Sequence, residues 1–294
     1  MAAANRIFCI GDAMLELISS RVASARFERT VVLNSQEFAV GGAVCNLYWY
    51  FTQLGRKAAI ATHYGAGDRA RVMGLLPHDA TEFFAEKHSL TDALVVLRNM
   101  SMPSVYLAGE LAGRDIDTML AGLQDTGTVV FAGSRHEVLR KACVERIAAL
   151  RHATVVFSPS YTVYEYTPEE LRSFLAHSHI AFVNKEEAEH LRNKLGAASV
   201  PEVMRSTRLG GIVTLGPEGA NLYPAQHADI HIPSSSGSQE DVIGAGDSFV
   251  CGFLHSYLSS GSWQAAGEAG GAVAAQVVRD KRVRAPIDRS LIEA

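Results

Sequence analysis

Cysteine and excess basic charge are scarce in this sequence, and each scarcity excludes a class of protein. The 294 residues include four cysteines, Cys9, Cys45, Cys143 and Cys251, and no two form a CxxC pair. Neither a disulfide framework nor a zinc knuckle is therefore indicated. Lys and Arg number 27 against 31 Asp and Glu, a formal net charge of -4 that leaves no excess to neutralise a phosphate backbone. We expect no nucleic-acid partner.

Signals for a membrane or for secretion are also missing. The stretch 38–55 carries no formal charge, but it includes the polar residues Asn46, Thr52 and Gln53. We interpret it as a loop that enters a buried helix rather than as a membrane span. Residues 1–5 lack a basic region followed by an apolar run, so no secretory signal is visible. These observations predict a cytoplasmic protein with no membrane partner.

Motifs of two common nucleotide-binding folds do not occur. The sequence contains neither GxxxxGK[ST] nor GxGxxG, which argues against a P-loop and against a Rossmann dinucleotide site. His227 and His231 are four residues apart, but they lie on an alternating strand without an acidic neighbour in sequence. We expect no zinc site at this pair.

Apolar residues are plentiful enough for one large core. The chain is 48% hydrophobic and 20% charged, which is typical of a compact globular protein. One core can serve this length, so we expect a single domain over residues 1–294. Strand-like and helix-like segments alternate, which predicts a mainly parallel sheet with helices on both faces. The predicted strands are 6–11, 57–63, 93–98, 104–108, 128–132, 154–157, 180–183, 211–215, 219–223 and 228–232; the predicted helices are 43–54, 136–150, 168–176, 185–195, 245–258 and 263–278.

One segment does not fit this alternation. Residues 21–40 alternate polar and apolar side chains without a helical stripe, which indicates exposed strands that stand off the main body. We interpret them as part of a small β lid that covers about residues 15–40 and part of 93–112.

A glycine-rich turn at 241–252 opens directly into an apolar helix and is the strongest chemical signal. Gly244 and Gly246 can adopt conformations closed to other residues, and the first helical turn leaves N–H groups unpaired, so the turn predicts an anion pocket. Asp247 lies where it can accept a proton from a hydroxyl group that attacks phosphorus. An ordinary first-turn aspartate fits the same pattern. The tetrapeptide Gly-Ala-Gly-Asp of residues 244–247 recurs at 65–68 before a polar segment, so it does not identify a catalytic site by itself.

Three further features suit a polyol ligand. Gly41 and Gly42 allow close approach to the backbone, and Asn46, one turn into the following helix, offers both a donor and an acceptor. Asp12 ends the first predicted strand. A tight loop with a self-capping asparagine and a turn aspartate are the structural alternatives.

These motifs, in this order, resemble the PfkB-type carbohydrate kinases of the ribokinase-like superfamily over essentially the whole chain. The segments that carry the resemblance are 41–55, 184–187, 213–220 and 241–252. The resemblance implies a three-layer α/β/α sandwich with a central, mainly parallel sheet and a small β lid. It also implies ATP-dependent phosphorylation of a primary hydroxyl group of a small sugar or sugar derivative.

The resemblance assigns roles to particular residues. It makes Asp247 the catalytic base, and Gly244, Ala245 and Gly246 the anion hole for the transferred phosphoryl group. Glu187, together with Asn184, would organise Mg2+ through its waters. The implied nucleotide-lining residues are Thr214, Gly216 and Gly219, and the implied acceptor-binding residues are Asp12, Gly41, Gly42 and Asn46.

Two further expectations come from the resemblance. Carbonyl groups around Asp241 resemble those that bind a monovalent cation such as K+ in relatives. Exposed lid strands often pair between subunits in this family, so a homodimer through the lid is a hypothesis.

The loop 158–161 departs from the family pattern because it has no Asp, Asn or Arg. Acidic sugars need a cation for their carboxylate, so they fit poorly. Aromatic residues around Asn46 and after this loop can stack on a base, which keeps a nucleoside kinase as an alternative. A catalytically silent sugar- or nucleotide-binding relative with a regulatory role is a second alternative. The presence of both Asp247 and its glycine turn favours an active kinase.

Overall fold

Strands and helices alternate along the chain in the computed structural model, which describes residues 6–19, 22–27, 30–33, 37–74, 81–87, 91–97, 105–107, 109–235, 243–280 and 284–292. The strands of the described residues are β1 (Ile7–Ile10), β2 (Met14–Ser19), β3 (Val22–Phe27), β4 (Thr30–Leu33), β5 (Glu37–Gly41), β6 (Ala58–Gly65), β7 (Thr81–Lys87), β8 (Ala93–Leu97), β9 (Val105–Leu107), β10 (Thr128–Phe131), β11 (Thr154–Phe157), β12 (Ile180–Asn184), β13 (Gly210–Thr214), β14 (Ala220–Pro224) and β15 (Ile230–Ile232). Their helices are α1 (Ala43–Gln53), α2 (Arg69–Gly74), α3 (Gly113–Leu120), α4 (Glu137–Ala149), α5 (Pro168–His177), α6 (Lys185–Leu195), α7 (Val200–Met204), α8 (Ala245–Ser260) and α9 (Trp263–Asp280).

Nine strands form the central sheet in the order β15-β14-β13-β12-β11-β10-β1-β6-β7. Every neighbouring pair from β7 to β13 is parallel, and only β14 and β15 are added antiparallel. The predicted mainly parallel sheet is confirmed. Chain order reverses at β1, which lies between β6 and β10, and ligands of such sheets bind outside the carboxyl ends of the strands at this reversal.

Helices cover both faces of the sheet because its central strands are apolar on both sides. In β10, Val130 packs into one buried cluster, whereas Val129 and Phe131 pack into the other. Continuous burial of this kind is typical of parallel strands. The first cluster is completed by α1, α8 and α9, and the second by α3, α4, α5 and α6. The predicted three-layer α/β/α sandwich is confirmed.

A smaller sheet has the strand order β5-β2-β8-β9, and β3 and β4 form a separate two-stranded sheet. Its β2–β5 and β8–β9 pairs are antiparallel and its β2–β8 pair is parallel. It is the small lid sheet of the predicted fold class. β5 falls in the segment 21–40 that was expected to form exposed lid strands, whereas the stretch from residue 38 was also interpreted as a loop before α1; residues 38–41 are strand. Within the expected lid, residues 20–21, 28–29, 34–36, 98–104 and 108 lie outside the described residues, so the bounds of the lid and of the domain stay predictions.

Helix ends are set by local chemistry. Asn184 caps α6 through its side chain, and Gly196 ends that helix with a left-handed φ of 68°. The sequence predicted this helix over its full observed length. It did not predict β7, α2, α3 or α7. Among the described helices, none combines the length and the apolar composition that crossing a bilayer requires.

Candidate active site

Asp247 lies in the first turn of α8 and is held by a residue from α1. Asn46 donates its Nδ2–H to Asp247 Oδ2 at 2.8 Å. Arg284 in turn donates its Nε–H to Asn46 Oδ1 at 3.4 Å. Both ends of the Asn46 amide are therefore engaged by the protein. The structure thus connects Asp247 and Asn46, which the sequence predicted as site residues, to Arg284, which it did not.

The pKa of the Asp247 carboxyl group lies above its ordinary range. Burial raises this pKa, the hydrogen bond from Asn46 lowers it, the negative charge of Glu16 raises it and the positive charge of Arg284 lowers it, with a result of about 6. A carboxyl group with this pKa is ionised at neutral pH but is a stronger base than an exposed aspartate. That combination suits a general base that works near neutral pH.

The glycines of this turn are required for different reasons. Gly244 has a φ of 89°, a conformation that L side chains rarely adopt, and a Cβ there would lie 3.1 Å from the Tyr50 hydroxyl oxygen. Gly246 has no such backbone requirement, and a Cβ there would meet no heavy atom of the described residues within 4 Å. The fold therefore does not need glycine at position 246. The absence of a side chain there leaves space beside the helix N-terminus, where backbone N–H groups attract anions.

A cavity of about 460 Å3 opens beside this turn. Pockets of this size hold small organic ligands. Residues of α9 form one wall. The cavity-lining residues that bear on the sequence predictions are Asn184, Thr214, Gly216, Gly219, Ala245 and Gly246, together with Gly271, Ala274, Ala275 and Val278 of α9.

Asn184 and Glu187 form a reciprocal capping box at the start of α6. The Glu187 N–H donates to Asn184 Oδ1 at 2.8 Å, and the Asn184 N–H donates to Glu187 Oε2 at 3.0 Å. Burial raises the pKa of Glu187 to about 7; the Asn184 N–H opposes this shift, and the charges of Asp247 and Glu186 add to it. The negative charge of Asp247 thus adds to the proton affinity of the buried Glu187 carboxyl group, and a bound cation would offset this repulsion. Carboxylate oxygens are the donors that Mg2+ prefers, so the residues fit this ion.

Asp12 lies just beyond β1, at the reversal point of the sheet. Its Oδ1 accepts hydrogen bonds from Ser134 Oγ at 2.6 Å and from His63 Nε2 at 3.1 Å, and its Oδ2 accepts the Arg135 N–H at 2.7 Å. Burial acts to raise the pKa of Asp12, but the hydrogen bonds and the neighbouring histidines outweigh it and leave the pKa lowered. The carboxylate is therefore charged and oriented.

Gly41 and Gly42 permit close contacts because they have no side chains. In this structure other residues of the chain make these contacts. A Cβ on Gly41 would lie 1.8 Å from the carboxyl group of Glu16, and a Cβ on Gly42 would lie 2.2 Å from the carbonyl oxygen of Asp12. The Gly42 N–H donates to Glu16 Oε1 at 3.3 Å. Glu16 was missed as a site residue, although an acid inside an apolar strand was a signal for it.

Asp241 lies outside the described residues. Monovalent-cation binding around it therefore stays a prediction. Arg284 had no motif that could have revealed it, because it reaches Asn46 only through the tertiary fold.

A family model described as pfkB family carbohydrate kinase matches residues 4–289. The chain belongs to this family. The resemblance inferred from the four motifs is confirmed, and membership of this family supports a kinase activity that uses ATP.

Relatives with kinase names match the chain to different extents. The nucleoside kinase of Methanocaldococcus jannaschii is 34% identical over 128 residues, which cover 43% of this chain and 41% of the relative. This match therefore spans about two fifths of the relative's length. The ribokinase of Mus musculus is 25% identical over 282 residues, which cover 87% of this chain and 82% of the relative.

Solved structures show the same fold. The crystal structure of the M. jannaschii nucleoside kinase, an archaeal member of the ribokinase family, has a TM-score of 0.77 at 22% identity and covers 98% of this chain and 97% of its own. The structure of Burkholderia thailandensis nucleoside kinase in complex with inosine has a TM-score of 0.77 at 17% identity and covers 98% and 94%. At these identities the likeness concerns the fold alone.

Proposed function

We propose that the protein transfers the γ-phosphoryl group of ATP to a primary hydroxyl group of a small sugar or of the sugar moiety of a nucleoside. The observation that carries this proposal is the position of Asp247. It directly follows Ala245 and Gly246, which line the cavity, and it is bonded to Asn46 on α1. A carboxyl group with a raised pKa thus directly follows two residues of the cavity wall, in the first turn of a helix, where the terminus attracts anions.

In this reaction Asp247 removes the proton of the attacking hydroxyl group. A new oxygen–phosphorus bond forms as the bond between the γ-phosphorus and the β-phosphate oxygen breaks, and ADP leaves. The N–H groups of Ala245 and Gly246 stabilise the charge on the transferred group. Asn184 and Glu187 would hold Mg2+ through water, and the bound ion would neutralise phosphate charge.

A nucleoside is the acceptor we propose to test first. The Tyr161 hydroxyl group lies 3.7 Å from Met14 Sδ, two residues after Asp12, and the Tyr161 side chain remains partly exposed. Burial raises the pKa of Tyr161, and the charge of Asp12 raises it further, which agrees with this proximity. An aromatic face beside the carboxylate that would hold sugar hydroxyl groups can stack on a base. Relatives named nucleoside kinase support this choice.

The kinase proposal is tested by ADP release from MgATP with a panel of neutral hexoses, pentoses, sugar acids, sugar phosphates and nucleosides. We expect turnover with at least one acceptor, and a loss of about 100-fold to 10,000-fold in Asp247→Asn. Asp115→Asn is the matched control, since Asp115 also lies in the first turn of a helix but on α3. Normal turnover by a folded Asp247→Asn variant would overturn the role of Asp247. If no acceptor in the panel caused ADP release while ATP binding remained intact, the result would favour a regulatory relative.

The acceptor class is tested with Tyr161→Ala. If a base stacks on Tyr161, the KM for a nucleoside rises by about tenfold, whereas the KM for free ribose does not change. Tyr164→Ala is the control because Tyr164 is also exposed but packs against His190, with ring centroids 4.5 Å apart. An equal change for ribose and nucleoside would argue against base stacking at Tyr161.

A further inference from the structure

Four buried metal-ligating side chains meet beyond the carboxyl ends of β1 and β6. Asp12 follows β1, His63 lies near the end of β6, His136 precedes α4, and Asp92 immediately precedes β8 of the lid sheet. One ligating atom from each side chain lies within 4.8 Å of those of the other three. The exposed fraction of each side chain is at most 9%. Ligands of a tetrahedral zinc ion lie about 3.4 Å apart, so small side-chain movements would complete such a site.

Each carboxylate has one oxygen anchored by the backbone and one directed at a histidine. Asp12 Oδ2 accepts the Arg135 N–H at 2.7 Å, and Asp92 Oδ1 accepts the Gly109 N–H at 2.8 Å. The other oxygens lie 3.1 Å from His63 Nε2 and 3.0 Å from His136 Nε2, respectively. Asp12 Oδ1 also accepts the Ser134 hydroxyl group at 2.6 Å. Outer hydrogen bonds that orient a ligating carboxylate are characteristic of metal sites.

Two carboxylates and two imidazole rings share this buried space. With neutral imidazole rings, the two carboxylates bring two negative charges into a buried space. The His63 and His136 rings lie edge to face with their centroids 4.7 Å apart. His63 Nδ1 is buried and has no hydrogen-bond partner. A single divalent cation would neutralise the two carboxylates without requiring either ring to carry a proton.

We propose that Asp12, His63, Asp92 and His136 form a binding site for a first-row divalent transition-metal ion, with Zn2+ as the best match. Two imidazole nitrogens and two carboxylate oxygens suit Zn2+, whereas Mg2+ prefers oxygen ligands alone and retains its waters. Because Asp92 immediately precedes β8, the ion would link the lid sheet to the central sheet. This site is separate from the Mg2+ position proposed at Glu187. It shares Asp12 with the proposed acceptor site, so a bound ion would engage the carboxylate assigned to sugar hydroxyl groups.

The test is equilibrium dialysis of the full chain against micromolar Zn2+ in millimolar Mg2+, followed by metal analysis. We expect one tightly bound Zn2+ per chain and a higher Tm in its presence. His136→Gln should lose that ion, whereas His152→Gln, a change at an exposed histidine, should retain it. No stoichiometric Zn2+ on the wild-type chain, or undiminished binding by His136→Gln, overturns the proposal.

A second measurement needs no variant and covers the case in which His136→Gln fails to fold. X-ray absorption at the zinc edge of the wild-type complex should show a four-coordinate shell of nitrogen and oxygen with scattering from two imidazole rings. Asp92→Asn, which preserves side-chain shape, should weaken binding by about tenfold or more. A shell without imidazole scattering would place the ion elsewhere and would overturn the assignment.

Discussion

Asn46 and Asp247 are 201 residues apart in sequence, yet the amide of one donates to the carboxylate of the other at 2.8 Å. This bond joins the helix after the double glycine to the helix after the glycine-rich turn. The bond orients the proposed base, Asp247, through a residue that the sequence assigned only to acceptor binding.

Removing this amide should change the pH dependence of the reaction. The hydrogen bond favours the charged carboxylate and so opposes the rise of the Asp247 pKa to about 6. In Asn46→Ala the pKa rises further, because burial then acts unopposed by this bond. Since the base must be deprotonated, we expect the acidic limb of the kcat/KM profile to move up by about one pH unit.

A pH profile separates this effect from a lost acceptor contact. A change in the base is partly recovered above pH 8, whereas a lost contact with the acceptor lowers activity equally at every pH. Asn221→Ala is the control, because Asn221 bonds to His231 on the outer strands. An acidic limb that does not move in Asn46→Ala would contradict the coupling.

Gly246→Ala tests whether the glycine turn holds the transferred phosphoryl group. A Cβ at this position meets no protein atom, so the variant should fold with unchanged Tm. The added methyl group points into space that the phosphate would occupy, and turnover should fall by about 10-fold to 100-fold. Gly113→Ala is the matched control in the first turn of α3, where a Cβ also meets open space. Equal turnover of the two variants would remove Gly246 from the site.

Ala274→Trp tests the nucleotide cavity. Ala274 lies on the α9 wall of the cavity, and an indole there would fill much of the space beside it. We expect the KM for ATP to rise by about tenfold or more, with little change in the KM for the acceptor. Ala265→Trp is the control, because Ala265 is exposed on the same helix. A rise confined to the acceptor KM would mean that the two substrates have been assigned to the wrong ends of the site.

Glu187→Gln should stabilise the metal-free protein in alkaline solution. Burial raises the pKa of Glu187 from 4.5 to about 7, so the native state binds more protons than the unfolded state between these values. Unfolding free energy attributable to this group therefore falls as pH rises through that window, by about 3 kcal/mol at pH 8. Glutamine keeps the capping bond without the charge.

Urea unfolding in EDTA should show a stability gain for Glu187→Gln that is largest at pH 8 and shrinks toward pH 5. Glu169→Gln, at an exposed first-turn position of α5, should show no such trend. The same Glu187 substitution should weaken the Mg2+ dependence of catalysis. If the gain in unfolding free energy did not depend on pH, the Glu187 carboxyl group would not be its source.

Local chemistry explains why some elements were predicted and others were not. The helix Lys185–Leu195 was predicted because an asparagine cap precedes it and a glycine follows it. The strand Thr81–Lys87 was missed because it lies at the sheet edge, where burial imposes no clear alternation. Asp247 was found because its glycine turn and its helix are contiguous in sequence.

Contacts between distant segments were not accessible to the same reasoning. Glu16 reaches Gly41 only because β2 pairs with β5, and Arg284 approaches Asn46 across 238 positions. The four residues of the proposed zinc site come from four separate segments, so no spacing along the chain signals them. The roles of the acceptor residues and the homodimer through the lid stay predictions.

The order of strands in the central sheet also bears on how such a protein can acquire new acceptors. Asp12 follows β1, whereas Thr214 ends β13, four strand steps away and therefore about 19 Å along the same sheet edge. Substitutions at the ends of β1, β6 and β10 can reshape one half of the crevice while the cavity beside β13 and α9 remains intact. Under the proposed function, changes at one end of the sheet would then alter the acceptor while ATP binding is retained.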